Sequence, residues 1–321
     1  MATPPLTPRV FTDPWDAAWS IPWVEEIQVA ESAEEIEIKA EVPAPLEAVY
    51  KRHGEWLDTI ALRFEDELRP IVAEAAKRMG AWLRANLVIQ HGVIATTSAN
   101  LHILQTLDDR FMAFLDEAGY ADLLARFTDQ FGEQLPFLQE TIDILAQESG
   151  HEIPAVSFTA DQLEVMTALK LTTRASIRTA MEAAAGAAMQ RVMFSIVGQT
   201  FDDLVQQFSE EFGGSLARNR QRAETAASVW YRSVQDTQYQ KIETETHLDV
   251  RYVYAGPSDE KNRPFCRKML KQTAAKALTR EEIDKLDNGQ IANVFVTCGG
   301  YGCRHQWLID LRTRKPAGRA T

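Results

Sequence analysis

Three cysteines and a histidine, Cys266, Cys298, Cys303 and His305, fall in one stretch near the end of this chain. Thiolate sulfur and imidazole nitrogen together suit a tetrahedral ion of borderline softness such as zinc, which has no geometric preference of its own. The spacing is not that of a double C-x2-C knuckle: Cys266 stands alone and the rest arrive as C-x4-C-x-H. Asp259 is the alternative fourth ligand to Cys298. The same residue types also fit two packed thiols with His305 satisfied by a hydrogen bond, or a disulfide. A Cys/His pair can be an activated nucleophile when a third group orients the base. No serine elbow, P-loop, GxGxxG or HExxH string accompanies it, so the chain is not expected to be an enzyme.

The elements that must position these residues are short. Leu248 to Tyr254 alternates apolar and polar side chains and predicts a strand, ended by Gly256-Pro257. A helical turn is expected over Arg267 to Lys271. Thr279 with Glu282 forms a capping box for a second short helix, stopped by Asn288-Gly289. Val294-Phe295-Val296 predicts another strand, and Gly299-Gly300 turns the chain toward Cys303. Residues 246–321 therefore read as a small α+β module.

Five separated pieces of that module occur in a recognisable order. They are Tyr254-Ala255-Gly256-Pro257-Ser258-Asp259, Arg263-Pro264-Phe265-Cys266, Thr279-Arg280-Glu281-Glu282-Ile283, Asn288-Gly289-Gln290 and Gly299-Gly300-Tyr301-Gly302-Cys303-Arg304-His305. Together they resemble the C-terminal module of phage head-morphogenesis proteins, the Mu F-like minor head proteins. In that family the position of Cys266 and the Cys303-Arg304-His305 string recur, whereas a cysteine at 298 is not expected. The resemblance implies a structural protein of the virion, in the capsid interior or at the portal vertex and in the host cytoplasm during assembly. It implies the portal protein and the major capsid protein as partners, and assistance to assembly and to DNA packaging or delivery. The alternative is a toxin-like nuclease or other hydrolase module on a helical delivery domain, against which the short tail after Trp307 speaks. Arg304, Arg312, Arg314 and Lys315 are candidate non-specific contacts to packaged DNA.

The rest of the chain reads as support. Residues 1–45 form an extended arm, since seven prolines among them prevent a long helix or a central strand. The arm carries Trp15, Trp19 and Trp23, candidates for docking a protein neighbour. Residues 46–245 follow helical periodicity from Leu46 through Phe64, with a kink or division expected at Pro70, and again through 99–149. Thr159 and Gln162 predict another capped helix, continued by the small-residue seam Ala183 to Ala188. A charged helix over about Phe201 to Ile242 follows, with a break expected near Gly213-Gly214. The expected fold is mainly α: an elongated helical body with an extended N-terminal arm and the small α+β module. Net charge is −12, placed unevenly, with roughly 11 Lys/Arg against 27 Asp/Glu over residues 1–160 and 14 against 8 over 246–321. The start lacks the apolar core of an export signal and no stretch is apolar enough to span a bilayer, so a reducing compartment is expected.

Overall fold

A computed structural model describes residues 43–150, 152–195, 200–204, 206, 216–246 and 250–310. Trp15, Trp19 and Trp23 of the arm, Gly213-Gly214, and Arg312, Arg314 and Lys315 lie outside them. The described chain is mainly helical, with two short antiparallel strand pairs. It falls into two compact units, Pro43–Asp249 and Val250–Asp310. No described helix is long and apolar enough to cross a membrane.

Helix α1 spans Ala44–Asn86 and starts with Pro45 in its first turn, where a missing N–H costs nothing. Leu46, Val49, His53, Leu57, Ile60, Phe64, Leu68, Val72, Ala75, Met79 and Leu83 form one buried stripe at intervals of three and four along it. Pro70 does not divide the helix. Pro70 is exposed on the face away from that stripe, as is Asp66, whose carbonyl loses its partner to the ring. Water reaches both, and the burial of Leu68 and Val72 on either side offsets the roughly 3 kcal/mol proline penalty.

A tight hairpin that the sequence reading did not anticipate follows, β1 (Ile89–Gln90) with β2 (Val93–Ile94), turning on His91 and Gly92 at φ 52° and 80°. Buried Asn100 clasps it: its amide donates to Val88 O (2.9 Å) and Ala95 O (2.7 Å), and its oxygen accepts from Val88 N (2.8 Å). Then come α2 (Ser98–Leu104), α3 (Leu107–Glu117), α4 (Tyr120–Asp129), a 3-10 turn (Gln130–Gln134) and α5 (Leu135–Ser149). The predicted capping box of α6 (Ala160–Ser195) is present, with Gln162 N on Thr159 Oγ1 at 3.2 Å and Thr159 N on Gln162 Oε1 at 2.9 Å. Ala180, Ala185 and Ala188 are buried, so this seam lets neighbours approach closely. Leu163, Val165 and Leu171, by contrast, stand half exposed at its start.

Helix α7 (Leu216–Thr246) is charged in sequence yet runs through the middle of its unit. Ala223, Ala226, Ala227, Trp230, Tyr231 and Val234 are buried, and so are Thr225, Ser228, Arg232, Gln235, Asp236 and Gln238. Two of its buried amides are held by partners: Gln235 donates to Tyr239 Oη at 3.0 Å and Gln238 to Ser157 O at 3.1 Å. A run of aromatic contacts, Phe64 to Phe127, Phe131 and Trp230, with centroids 4.7, 5.1 and 5.7 Å apart, joins α1, α4 and α7.

His53 sits in this interior. Its ring lies 4.0 Å from that of Tyr231, and Nε2 donates to Gln134 Oε1 at 2.8 Å, while the Gln134 amide donates to Ala227 O. Burial pulls the His53 pKa down from 6.5 to about 4, against the Gln134 hydrogen bond that raises it. The folded ring is therefore neutral, and the unfolded chain takes up the proton first. This contribution is complete above pH 6.5 and is lost as pH falls through 4. It amounts to about 3 kcal/mol. Urea unfolding of this unit is expected to show that loss between about pH 7 and pH 4. A His53→Gln variant, weaker at neutral pH, is expected to lose less on acidification.

Candidate metal centre

Strands β3 (Tyr252–Ala255) and β4 (Gln306–Ile309) pair antiparallel, with Tyr254 opposite Trp307 and Ala255 opposite Gln306. All eight residues are buried, so both faces of the pair are covered. The other edge of β3 is occupied too: Tyr252 exchanges hydrogen bonds with Leu278 (2.8 and 2.9 Å), and Tyr254 N donates to Thr273 Oγ1 at 2.9 Å. Val294-Phe295-Val296 pairs with neither strand. Here the structure corrects the sequence reading: Val294–Thr297 is a single helical turn, and its buried backbone is satisfied locally. Thr297 N and Cys298 N bond back to Asn293 O and Val294 O, and Trp307 Nε1 donates to Val294 O at 3.1 Å.

Helix α8 (Pro264–Ala275), longer than the single turn expected, packs on β3 through Cys266, Met269 and Thr273. It starts at proline and places Cys266 in its first turn. The Thr279 capping box is present and opens α9 (Arg280–Ile283). Arg280 lies over the Phe295 ring at 3.9 Å, steadying the layer under Trp307.

The loop that carries Cys303 is fixed from several sides. Asn288 donates to Cys298 O at 2.9 Å and accepts from Gln290 N and Ile291 N. Gln290 Oε1 accepts from Tyr301 N at 3.1 Å. The Arg263 guanidinium donates to Gly299 O and Tyr301 O. These bonds hold Cys303 Sγ 3.9 Å from Cys266 Sγ and 3.6 Å from His305 Nδ1. Cys266, Cys303 and His305 are all buried, and their ligand atoms lie within 4.8 Å of one another.

The donor set fits a metal ion. A tetrahedral ion bound at about 2.3 Å by sulfur and about 2.0 Å by nitrogen requires edges of about 3.8 Å between sulfurs and about 3.6 Å from sulfur to nitrogen. The Cys266–Cys303 edge and the Cys303–His305 edge match these values, and the Cys266–His305 edge lies within 4.8 Å. His305 Nε2 lies 2.9 Å from Pro257 O, an atom that only accepts. Nε2 therefore carries the hydrogen, and in the neutral ring the Nδ1 lone pair faces the sulfurs. Such a carbonyl contact commonly fixes the tautomer of a ligating histidine. Gly299 N donates to Cys303 Sγ at 3.1 Å, a bond that favours thiolate. The hydrogen bond with Cys303, and then burial, push the Cys266 thiol up, and burial pushes the Tyr254 phenol up. A divalent cation reverses that balance by neutralising ionised donors.

The other ligands considered from sequence do not join the group. Cys298 Sγ is directed to Phe295 O at 3.8 Å and is not a member of the group. Asp259 pairs with Arg304 at 2.7 Å, which holds its carboxyl below the usual range and commits the one described basic residue proposed for DNA. Sequence reasoning passed over Tyr254, Arg263, Asn288 and Gln290 as site residues, although each lies within a quoted motif. Their roles rest on hydrogen bonds to backbone and sulfur that no spacing rule encodes.

Gly256 and Gly299 are demanded by contact. A Cβ on Gly299 would lie 2.3 Å from Cys266 Sγ, and one on Gly256 2.6 Å from His305 Cδ2. Gly299→Ala and Gly256→Ala are each expected to destabilise the C-terminal unit by about 1–3 kcal/mol in thermal melts. Gly54→Ala, in an uncrowded turn of α1, is expected to stabilise its own unit by up to about 1 kcal/mol. No protein-family model, curated protein or solved structure matches this chain.

Proposed function

We propose that this protein is a phage minor head protein of the head-morphogenesis type. It would bind the portal protein at the portal vertex or inside the capsid, with the major capsid protein as a further neighbour and packaged DNA as a non-specific contact. It acts there as a structural component, not an enzyme. The observation that supports this reading is the convergence of the five sequence pieces on one compact unit. The first supplies Tyr254 and Pro257, the second Arg263 and Cys266, the fourth Asn288 and Gln290, and the fifth Gly299, Cys303 and His305. The third caps the helix whose Arg280 supports Phe295. A motif set arranged around one buried centre is what a shared structural role requires.

In this reading the ion is zinc, chosen by two sulfurs and one imidazole. A unit this short gains folding free energy directly from such a clip. Cys266, Cys303 and His305 are 3%, 5% and 2% exposed, which suits an ion that ties segments together. A nuclease would need its ion open to a phosphate.

Two measurements test this. Full-length protein purified under reducing conditions is expected to hold about one equivalent of zinc, kept by Cys298→Ser and lost by Cys266→Ser or Cys303→Ser. It is also expected to co-purify with the portal protein, and to do so less when Trp15, Trp19 and Trp23 are replaced together by alanine. Unchanged binding by that variant moves the docking surface elsewhere, and no binding by the full chain counts against the assembly role itself.

A further inference from the structure

Three protein donors leave a tetrahedral ion one vertex short, and what fills it decides whether the centre is closed or open to exchange. We propose that the fourth donor is the phenol oxygen of Tyr254, closing the centre with two thiolates, one imidazole and one phenolate. This rests on the metal reading above.

The geometry is specific. Tyr254 Oη lies 3.3 Å from Cys303 Sγ and 3.7 Å from Cys266 Sγ. A shared tetrahedral ion requires about 3.5 Å between a sulfur and an oxygen ligand. The edges to the two sulfurs bracket that value, as the sulfur–sulfur edge and the edge from Cys303 to His305 match theirs. Oη is also fixed in place. The Tyr254 ring stacks on the His305 ring at 5.0 Å with 6° between planes, and leans on Trp307 at 4.8 Å. Thr273 Oγ1 holds its backbone.

No water has room to take the vertex instead from the side of Gly299. A Cβ there would lie 2.3 Å from Cys266 Sγ, 3.1 Å from Cys303 Sγ and 3.4 Å from Tyr254 Oη. The main chain at 299 thus roofs the triangle formed by these three atoms. Cys298 and Asp259 are turned to Phe295 O and Arg304. When every donor is ionised the set carries one more negative charge than a divalent ion neutralises. The Arg263 guanidinium, pinned to Gly299 O and acting on Cys266, supplies the balancing charge.

Cobalt(II) reports on this directly. Full-length protein, stripped and reloaded with cobalt under reducing conditions, is expected to show tetrahedral d–d bands with thiolate charge transfer, unchanged by added azide. Tyr254→Phe is expected to shift the d–d bands, admit azide and weaken cobalt binding about 10–100-fold. An unchanged spectrum and affinity in a folded Tyr254→Phe overturns the assignment, as does azide binding by the wild-type complex, a titration that needs no variant. Either result leaves the three-donor centre standing. Failure of the wild-type chain to retain cobalt overturns both.

Discussion

The contact between His305 Nε2 and the carbonyl of Pro257 is small, but the C-terminal unit depends on it. It joins the turn that ends β3 to the residue that precedes β4, and it decides which nitrogen faces the sulfurs. Pro257 cannot be moved without freeing Asn262, which donates to the same carbonyl at 2.8 Å. Asn262 O in turn accepts from Arg267 on the helix that delivers Cys266. The first ligand and the last are thereby coupled through hydrogen bonds before any ion is considered.

Much of this fold was legible in the amino-acid order. The buried stripe from Leu46 to Phe64 and both capping boxes were visible because each depends on neighbours three or four residues away. The proximity of Cys266, Cys303 and His305 was expected from residue type and the motif resemblance. Most of what escaped was set at long range. Pro70 stays inside α1 because its face meets water, which cannot be known before the packing is. Val294 to Thr297 turns as a helix that closes on Asn293 O and Val294 O, a local closure that its apolar residue types do not announce. α7 was charged on paper and buried in fact, since Gln235 and Gln238 have their partners on Tyr239 and on the distant Ser157.

The two units therefore achieve order by different means. Pro43–Asp249 buries large aromatic and aliphatic surfaces and adds polar clasps such as His53 with Gln134 and Asn100 with the hairpin. In Val250–Asp310 the apolar layer is built around Tyr252, Phe295 and Trp307, with Met269, Leu278, Ile283 and Leu308 buried beside them. Its loops are held by side chains that bond to backbone carbonyls. Such an arrangement gives well-defined atom positions at the cost of tolerance: residues 256 and 299 accept nothing larger than hydrogen. That trade suits a centre whose donors must stay at fixed separations.

The pairing of Tyr252 with Ile309 and the bond from Asp310 N to Arg251 O (2.7 Å) mean that the chain leaves this unit where it entered. A unit with adjoining ends behaves as a cassette: it can be spliced into a host polypeptide at one point without prising its surroundings apart. Tension applied through those ends would open the β3–β4 ladder one rung at a time, starting at Tyr252 and Ile309. It would reach Tyr254 and Trp307 only after two rungs had parted, so pulling would threaten the sulfur and imidazole groups last.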